Sequence, residues 1–202
     1  MFYVDNTEET PLDLKEESEM NDENNKKETL SEKLIKERKL LAFGNIDGEA
    51  AEKLIAAMLL MESVSAEEPI KIYINSTGGS ETDILAVFDV MRGLRCPVET
   101  VCTGKAHGFS ALLLAGGAKG FRKGYANSEV MLAQVSRGRT YGQASDIELE
   151  VSHLLECKNR MNTLLAELCG KDAKTIQADI DRKHWMFADQ AKEYGLIDEI
   201  IC

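Results

Sequence analysis

From Leu30 onward, apolar residues recur at the two spacings of regular secondary structure, whereas residues 5 to 29 contain very few of them. Ser31 to Lys39 carries Leu34 and Ile35 on one helical face, and Leu40 to Phe43 reads as a short strand ending at Gly44. Asp47 is placed to cap a helix with the stripe Leu54, Ile55, Met58, Leu59 and Val64, which Pro69 stops. Ile70 to Asn75 alternates and is rich in β-branched residues, as a strand should be. Ser76-Thr77-Gly78-Gly79-Ser80 then turns the chain into a helix bearing Ile84, Val87, Phe88 and Met91. Val98 to Thr103 predicts the next strand, residues 109 to 116 the next helix, and Phe121 to Val130 short strands around Asn127-Ser128. A long helix is predicted from Gln143 to Cys169, with Ile147, Val151, Leu154, Leu155, Met161, Leu164, Leu165 and Leu168 at helical spacing. Ala188 to Tyr194 gives a last helix and Ile197 to Ile200 a last strand. Strand and helix alternate, which predicts an α/β fold. The long helix exceeds what a domain of this size can cover, so part of its apolar face is expected to meet another subunit.

One stretch concentrates the chemistry. Between Val101 and Gly117 a short apolar strand enters a turn of small residues, and the turn opens directly into an apolar helix. The first amides of such a helix have no intrahelical acceptors and face where an oxyanion can develop. In serine hydrolases the turn also presents the nucleophile. Here the turn residue is Gly108, which has no side chain.

Composition narrows the class. The 202 residues, 44% of them hydrophobic, suit one globular domain with a tail. The net charge of -11 is uneven: residues 1 to 30 hold ten Asp and Glu against three Lys, leaving -4 for the rest. An acidic chain without basic clusters argues against nucleic acid as partner, and the tail is expected to be disordered. Five cysteines without CxxC spacing (Cys96, Cys102, Cys157, Cys169, Cys202) read as reduced core thiols with no obvious His partner in sequence. No apolar run is long enough for a membrane span, and Met1-Phe2-Tyr3-Val4-Asp5 is not a basic signal-peptide start. A cytoplasmic protein needing no metal or other cofactor is expected.

Four motifs then stand in a telling order: Asn75-Ser76-Thr77-Gly78-Gly79, Asn127-Ser128-Glu129-Val130-Met131, Gly142 to Glu148, and Glu193-Tyr194-Gly195-Leu196-Ile197-Asp198. In order and spacing they resemble ClpP, the proteolytic subunit of the ATP-dependent Clp protease, over about residues 31 to 201. The resemblance implies a ClpP/crotonase-like fold of stacked β-sheets flanked by helices, with a protruding handle helix and a domain boundary near residue 30. It also implies heptameric rings of this subunit or of other ClpP-family subunits, paired into a tetradecamer. Gln143, Ala144, Ser145 and Asp146 match the handle through which rings dock.

The same resemblance locates the family's Ser-His-Asp triad at substituted positions. The nucleophile falls four residues past Gly104, at Gly108; the base follows the Asn-Ser-x-Val-Met pattern, at Ala133 before Gln134; the acid falls at Lys183, with Asp179 or Asp181 as alternatives in a more variable region. Gly79 and Phe109 match the residues whose amides form the oxyanion hole. A glycine cannot attack and an alanine cannot take a proton, and loss of either group typically costs on the order of a millionfold. A non-catalytic, ClpR-like subunit with a structural or regulatory role is therefore expected.

Two other readings exist. Ser110 and His107 would supply a displaced nucleophile and base, although Ser110 is rotated roughly 200° from the turn residue on a helix. Alternatively, the oxyanion hole would bind an acyl group or peptide without cleaving it. His184 is read as structural and His153 as a surface or interface residue. At the family's AAA+ docking cleft Tyr73 matches one aromatic, while Lys71 and Lys123 replace two neighbours. If buried as those aromatics are, the lysines would disfavour an apolar loop; otherwise they reach to water from the rim.

Overall fold

The computed structural model describes residues 28–136, 138 and 141–202. The expected disorder of the acidic tail concerns residues that lie almost wholly outside this range. Within the first segment, Thr29 and Glu32 form a reciprocal cap at the start of α1 (Leu30–Lys36): the Thr29 amide donates to the Glu32 carboxylate at 2.7 Å and the Glu32 amide to Thr29 Oγ1 at 3.2 Å. The compact unit comprises Ile35 to Cys202.

That unit is built on β1 (Lys39–Ile46), α2 (Gly48–Val64), β2 (Ile70–Gly79), α3 (Glu81–Gly93), β3 (Val98–His107) and α4 (Phe109–Ala115). It continues through β4 (Arg122–Tyr125), β5 (Glu129–Leu132), α5 (Ala144–Cys169), α6 (Ala173–Asp179), β6 (His184–Phe187), α7 (Ala188–Tyr194) and β7 (Glu199–Ile201). The strands make one sheet in the order β1-β2-β3-β4-β7, parallel throughout, that forks at β3. Thr100 to Cys102 pair with β4, whereas Lys105 to His107 pair with β5, which carries β6 antiparallel on its other side. Central strands of a parallel sheet are covered on both faces, so β3 begins with five consecutive buried residues, Val98 to Cys102. The core joins Ile70, Ile72 and Ile74 of β2 to Met58 and Met61 of α2, Ile84, Val87 and Phe88 of α3, and Leu112 and Leu114 of α4.

Asp47 caps α2 as the sequence predicts, accepting from the Ala50 amide at 3.1 Å. The long helix also forms, and its buried residues all lie at or beyond Cys157, while Leu149, Val151 and Leu155 are exposed. Its first half therefore carries apolar side chains that the described residues do not cover. A bidentate pair ties the far end together: Arg122, 5% exposed, meets Asp198 through Nε and Nη2, and its Nη1 donates to the carbonyls of Leu168 and Gly195 at 3.0 and 2.9 Å.

Several boundaries differ from expectation. β2 runs on through Gly79 and β3 through His107, so glycine-rich stretches read as turns are strand ends. They pair because Asn45 and Ile46 lie opposite Gly78 and Gly79, and a Cβ on Gly79 would sit 1.9 Å from the Ile46 carbonyl oxygen. Only glycine permits that approach. α6 and β6 are elements the hydrophobic pattern did not indicate.

Candidate functional site

The end of β3 delivers the turn. Gly108 has φ 57° and ψ −126°, a conformation that L side chains rarely adopt, and its amide donates to the Met131 carbonyl of β5 at 2.8 Å. Among the described residues, nothing lies within 4 Å of a Cβ built on it. The turn thus has the sharp strand-to-helix shape that presents a nucleophile, with space in front of it and no side chain to fill that space.

Ala133 directly follows β5 and Lys183 directly precedes β6. β5 and β6 pair Leu132 with His184 and Met131 with Trp185, so the two positions adjoin the last pair of this antiparallel ladder. Met131 also holds the Gly108 amide, which brings all three positions to one end of the sheet. Lys183 is exposed, and its charge is felt at His107, where it opposes protonation. Asp181, the sliding alternative for the acid, accepts from Gln134 Nε2 at 2.9 Å, and Asp179 accepts from the Tyr194 hydroxyl at 2.8 Å.

The displaced pair is not assembled as a hydroxyl–imidazole contact. Ser110 is fully buried and its hydroxyl reaches two main-chain carbonyls, Ser76 O at 3.1 Å and His107 O at 2.8 Å. It clamps the ends of β2 and β3 to the first turn of α4. The His107 ring is held elsewhere: Nε2 lies 3.0 Å from Glu129 Oε1, and the Trp185 ring meets it edge-on at 4.9 Å. Burial lowers the His107 pKa; Glu129 opposes the shift, and Lys105 and Lys183 add to it. His184 packs at a tilt on the Tyr194 ring, 5.6 Å between centroids.

Gly79 and Phe109 line one cleft of about 540 Å³, together with Ser80, Thr82, Leu85 and Val135. A Cβ on the neighbouring Gly78 would lie 3.1 Å from His107 O and 3.8 Å from Phe109 N, so the end of β2 packs directly against the turn. The remaining wall comes from α5 and includes His153 and Cys157, whose Sγ and Nε2 are 3.5 Å apart. The reading of the cysteines as lacking a His partner is corrected here. The signal was present as an i, i+4 spacing on a helix, and it was masked because Cys157 also fits the apolar stripe. Among the described residues no group of three or more His, Cys, Asp or Glu could hold a metal ion.

At the docking-like face both lysines are ion-paired. Glu99, 7% exposed, accepts from Lys71 at 3.1 Å and from Lys123 at 3.4 Å, and Lys123 also meets Glu199 at 3.1 Å. The lysines are half-buried beside this carboxylate rather than buried alone, which removes most of the desolvation cost anticipated for them. Gln143 directly precedes α5, and Ala144, Ser145 and Asp146 form its exposed first turn.

Elbow, forked sheet and long helix together are those of the Clp protease class of α/β proteins. The Clp protease family model matches residues 21–202, and the chain belongs to that family. One curated relative, ATP-dependent Clp protease proteolytic subunit 1 of Thermobifida fusca (strain YX), is 37% identical over 169 residues, covering 84% of this chain and 76% of that protein. Among the described residues no helix is long and apolar enough to cross a membrane.

Proposed function

We propose that this chain is a ClpP-family subunit that has no serine-peptidase chemistry of its own and serves a Clp-type proteolytic complex structurally or as a regulator. The observation that carries the reading is the turn at Gly108: the backbone of a nucleophile elbow with no nucleophile, with Ala133 and Lys183 at the adjoining ends of β5 and β6. With neither attacking group nor base, the amides of Gly79 and Phe109 offer at most the roughly thousand- to ten-thousandfold over water that an oxyanion hole alone retains. A cation at the acid position also disfavours an imidazolium.

Assembly follows from what the fold leaves uncovered. The exposed Leu149, Val151 and Leu155 of α5 are the surface through which another subunit would be met, with residues 143 to 146 at the root of that handle. Rings formed with active ClpP-family subunits, in a paired heptameric arrangement, are the assembly this reading expects. The Lys71–Glu99–Lys123 network makes the docking-like face polar, so an apolar loop of a AAA+ partner would bind here more weakly than at an aromatic-lined cleft. Peptide hydrolysis and particle size, measured on purified protein alone and after mixing with an active ClpP-family subunit, test the proposal. Assembly without turnover by the chain alone is expected. Turnover by this chain alone, free of contaminating peptidase, would refute it.

A further inference from the structure

The cleft lined by Gly79 and Phe109 also holds a thiol–imidazole pair on the wall formed by α5. Cys157 Sγ lies 3.5 Å from His153 Nε2, one turn earlier on α5, and both side chains line the cleft. A thiol is the side chain most easily activated by a neighbouring imidazole, because the proton that must leave is weakly held compared with that of a hydroxyl. We propose that Cys157 is an acyl-accepting thiol, with His153 as its proton acceptor, and that this cleft takes activated acyl groups from thioesters.

The step balances without an oxidant or cofactor. The sulfur of Cys157 bonds to the acyl carbon as its proton passes to His153, and the carbon–sulfur bond of the donor breaks. The departing thiolate takes the proton back from His153, leaving a new thioester on Cys157 and a free thiol. A thiolate departs readily, whereas the amine of a peptide bond must be protonated in a defined geometry as it leaves. Thioesters are therefore favoured over peptides, and the inference stands beside the absence of peptidase chemistry without depending on it. The volume, about 540 Å³, falls in the range of small-molecule sites, and Leu85, Phe109 and Val135 give the acyl portion an apolar seat. Burial pushes the Cys102 and Cys169 thiols up to about 11; Cys96 and Cys157 are both buried, and Cys157 is distinguished by its place in this cleft with His153 beside it. Cys202 is exposed and serves as a background that is removed by Cys202→Ser.

The full-length protein carrying Cys202→Ser is incubated with the benzoyl thioester of N-acetylcysteamine and followed by intact mass and peptide mapping. One hydroxylamine-labile acyl group on Cys157 is expected, absent in Cys157→Ser. His153 is exposed, so His153→Gln should leave the fold intact and slow acylation on the order of a hundredfold. Acylation of Cys157 at an unchanged rate in His153→Gln would overturn the proposal, as would adducts that persist in Cys157→Ser. The readout is a mass on one cysteine, so it succeeds or fails independently of peptide hydrolysis and of assembly.

Discussion

Installing a complete triad tests the proposal that the turn is silent. Gly108→Ser, Ala133→His and Lys183→Asp would place a hydroxyl on the elbow and an imidazole and carboxylate on the adjoining ends of β5 and β6. The register supports that placement, since Leu132 and His184, the neighbours of Ala133 and Lys183, are paired and Met131 already holds the Gly108 amide at 2.8 Å. Space is available, because among the described residues nothing lies within 4 Å of a Cβ at Gly108. The cost lies in the backbone: φ 57° with ψ −126° disfavours an L side chain by about 1–3 kcal/mol, which a domain stable by roughly 5–15 kcal/mol can absorb.

The three groups act as a unit, so their effects do not add. A hydroxyl without a base, or a base without a hydroxyl, leaves the reaction near background, and every single or double variant is expected to remain there. A complete triad is worth on the order of 10⁶ in rate, about 8 kcal/mol of barrier. A misplacement of about 1 Å takes back roughly a hundredfold. The triple variant should therefore hydrolyse a fluorogenic peptide at least on the order of 10³-fold faster than the parent, and a fluorophosphonate should label position 108. Labelling of the parent protein, or parent turnover that the substitutions do not change, would refute the account. A folded triple variant that stays at background would show that positions 133 and 183 do not address the elbow.

Three further outcomes follow from contacts already described. Ser110→Ala removes a buried hydroxyl bonded to two carbonyls and should lower stability by about 1–3 kcal/mol in denaturant titration; an unchanged midpoint would mean the clamp is not made. Asp198→Asn leaves the buried Arg122 without its counter-charge and should cost about 3 kcal/mol, roughly 6–12 °C in melting temperature. Because the Arg122 bonds hold the Asp198 carboxyl below its ordinary pKa, the unfolded chain takes up that proton first. Its stabilisation is complete above about pH 4 and is lost as pH falls through the folded value. Melting curves of parent and Asp198→Asn should accordingly converge in strong acid, and curves that stay parallel would contradict the assignment. Glu99→Gln removes the carboxylate shared by Lys71 and Lys123; with the lysines part-exposed the loss should be about 1–2 kcal/mol, shrinking as salt is added.

How much of this was legible depends on whether local pattern or distant pairing decided the outcome. β3 and β2 were legible because central parallel strands read as nearly continuous or β-branched apolar runs. β6 was not, because Trp185 and Phe187 face outward and the strand exists only through pairing with β5 more than fifty residues earlier. α6 buries Ile176 alone, too little for a stripe. The elbow was legible because small residues between an apolar strand and an apolar helix have few alternatives. The cleft was not, since its walls come from the end of β2, the start of α4 and the middle of α5.

Gly108 shows why the shape of a site and its chemistry can separate. In an active elbow the nucleophile is held at positive φ against its preference, and packing must supply about 1–3 kcal/mol to keep it there. Glycine adopts the same φ of 57° with little penalty, so a glycine at this turn avoids that strain. The hydrogen bond from Gly108 to Met131, the Ser110 clamp and the close packing of Gly78 hold the turn in place whatever the side chain. Glycine rather than a nucleophile at such a turn is therefore the more stable choice, in keeping with the usual trade between activity and stability. Gly108→Ser alone should melt below the parent while gaining no activity, and a variant that melts higher would show that the elbow is not strained.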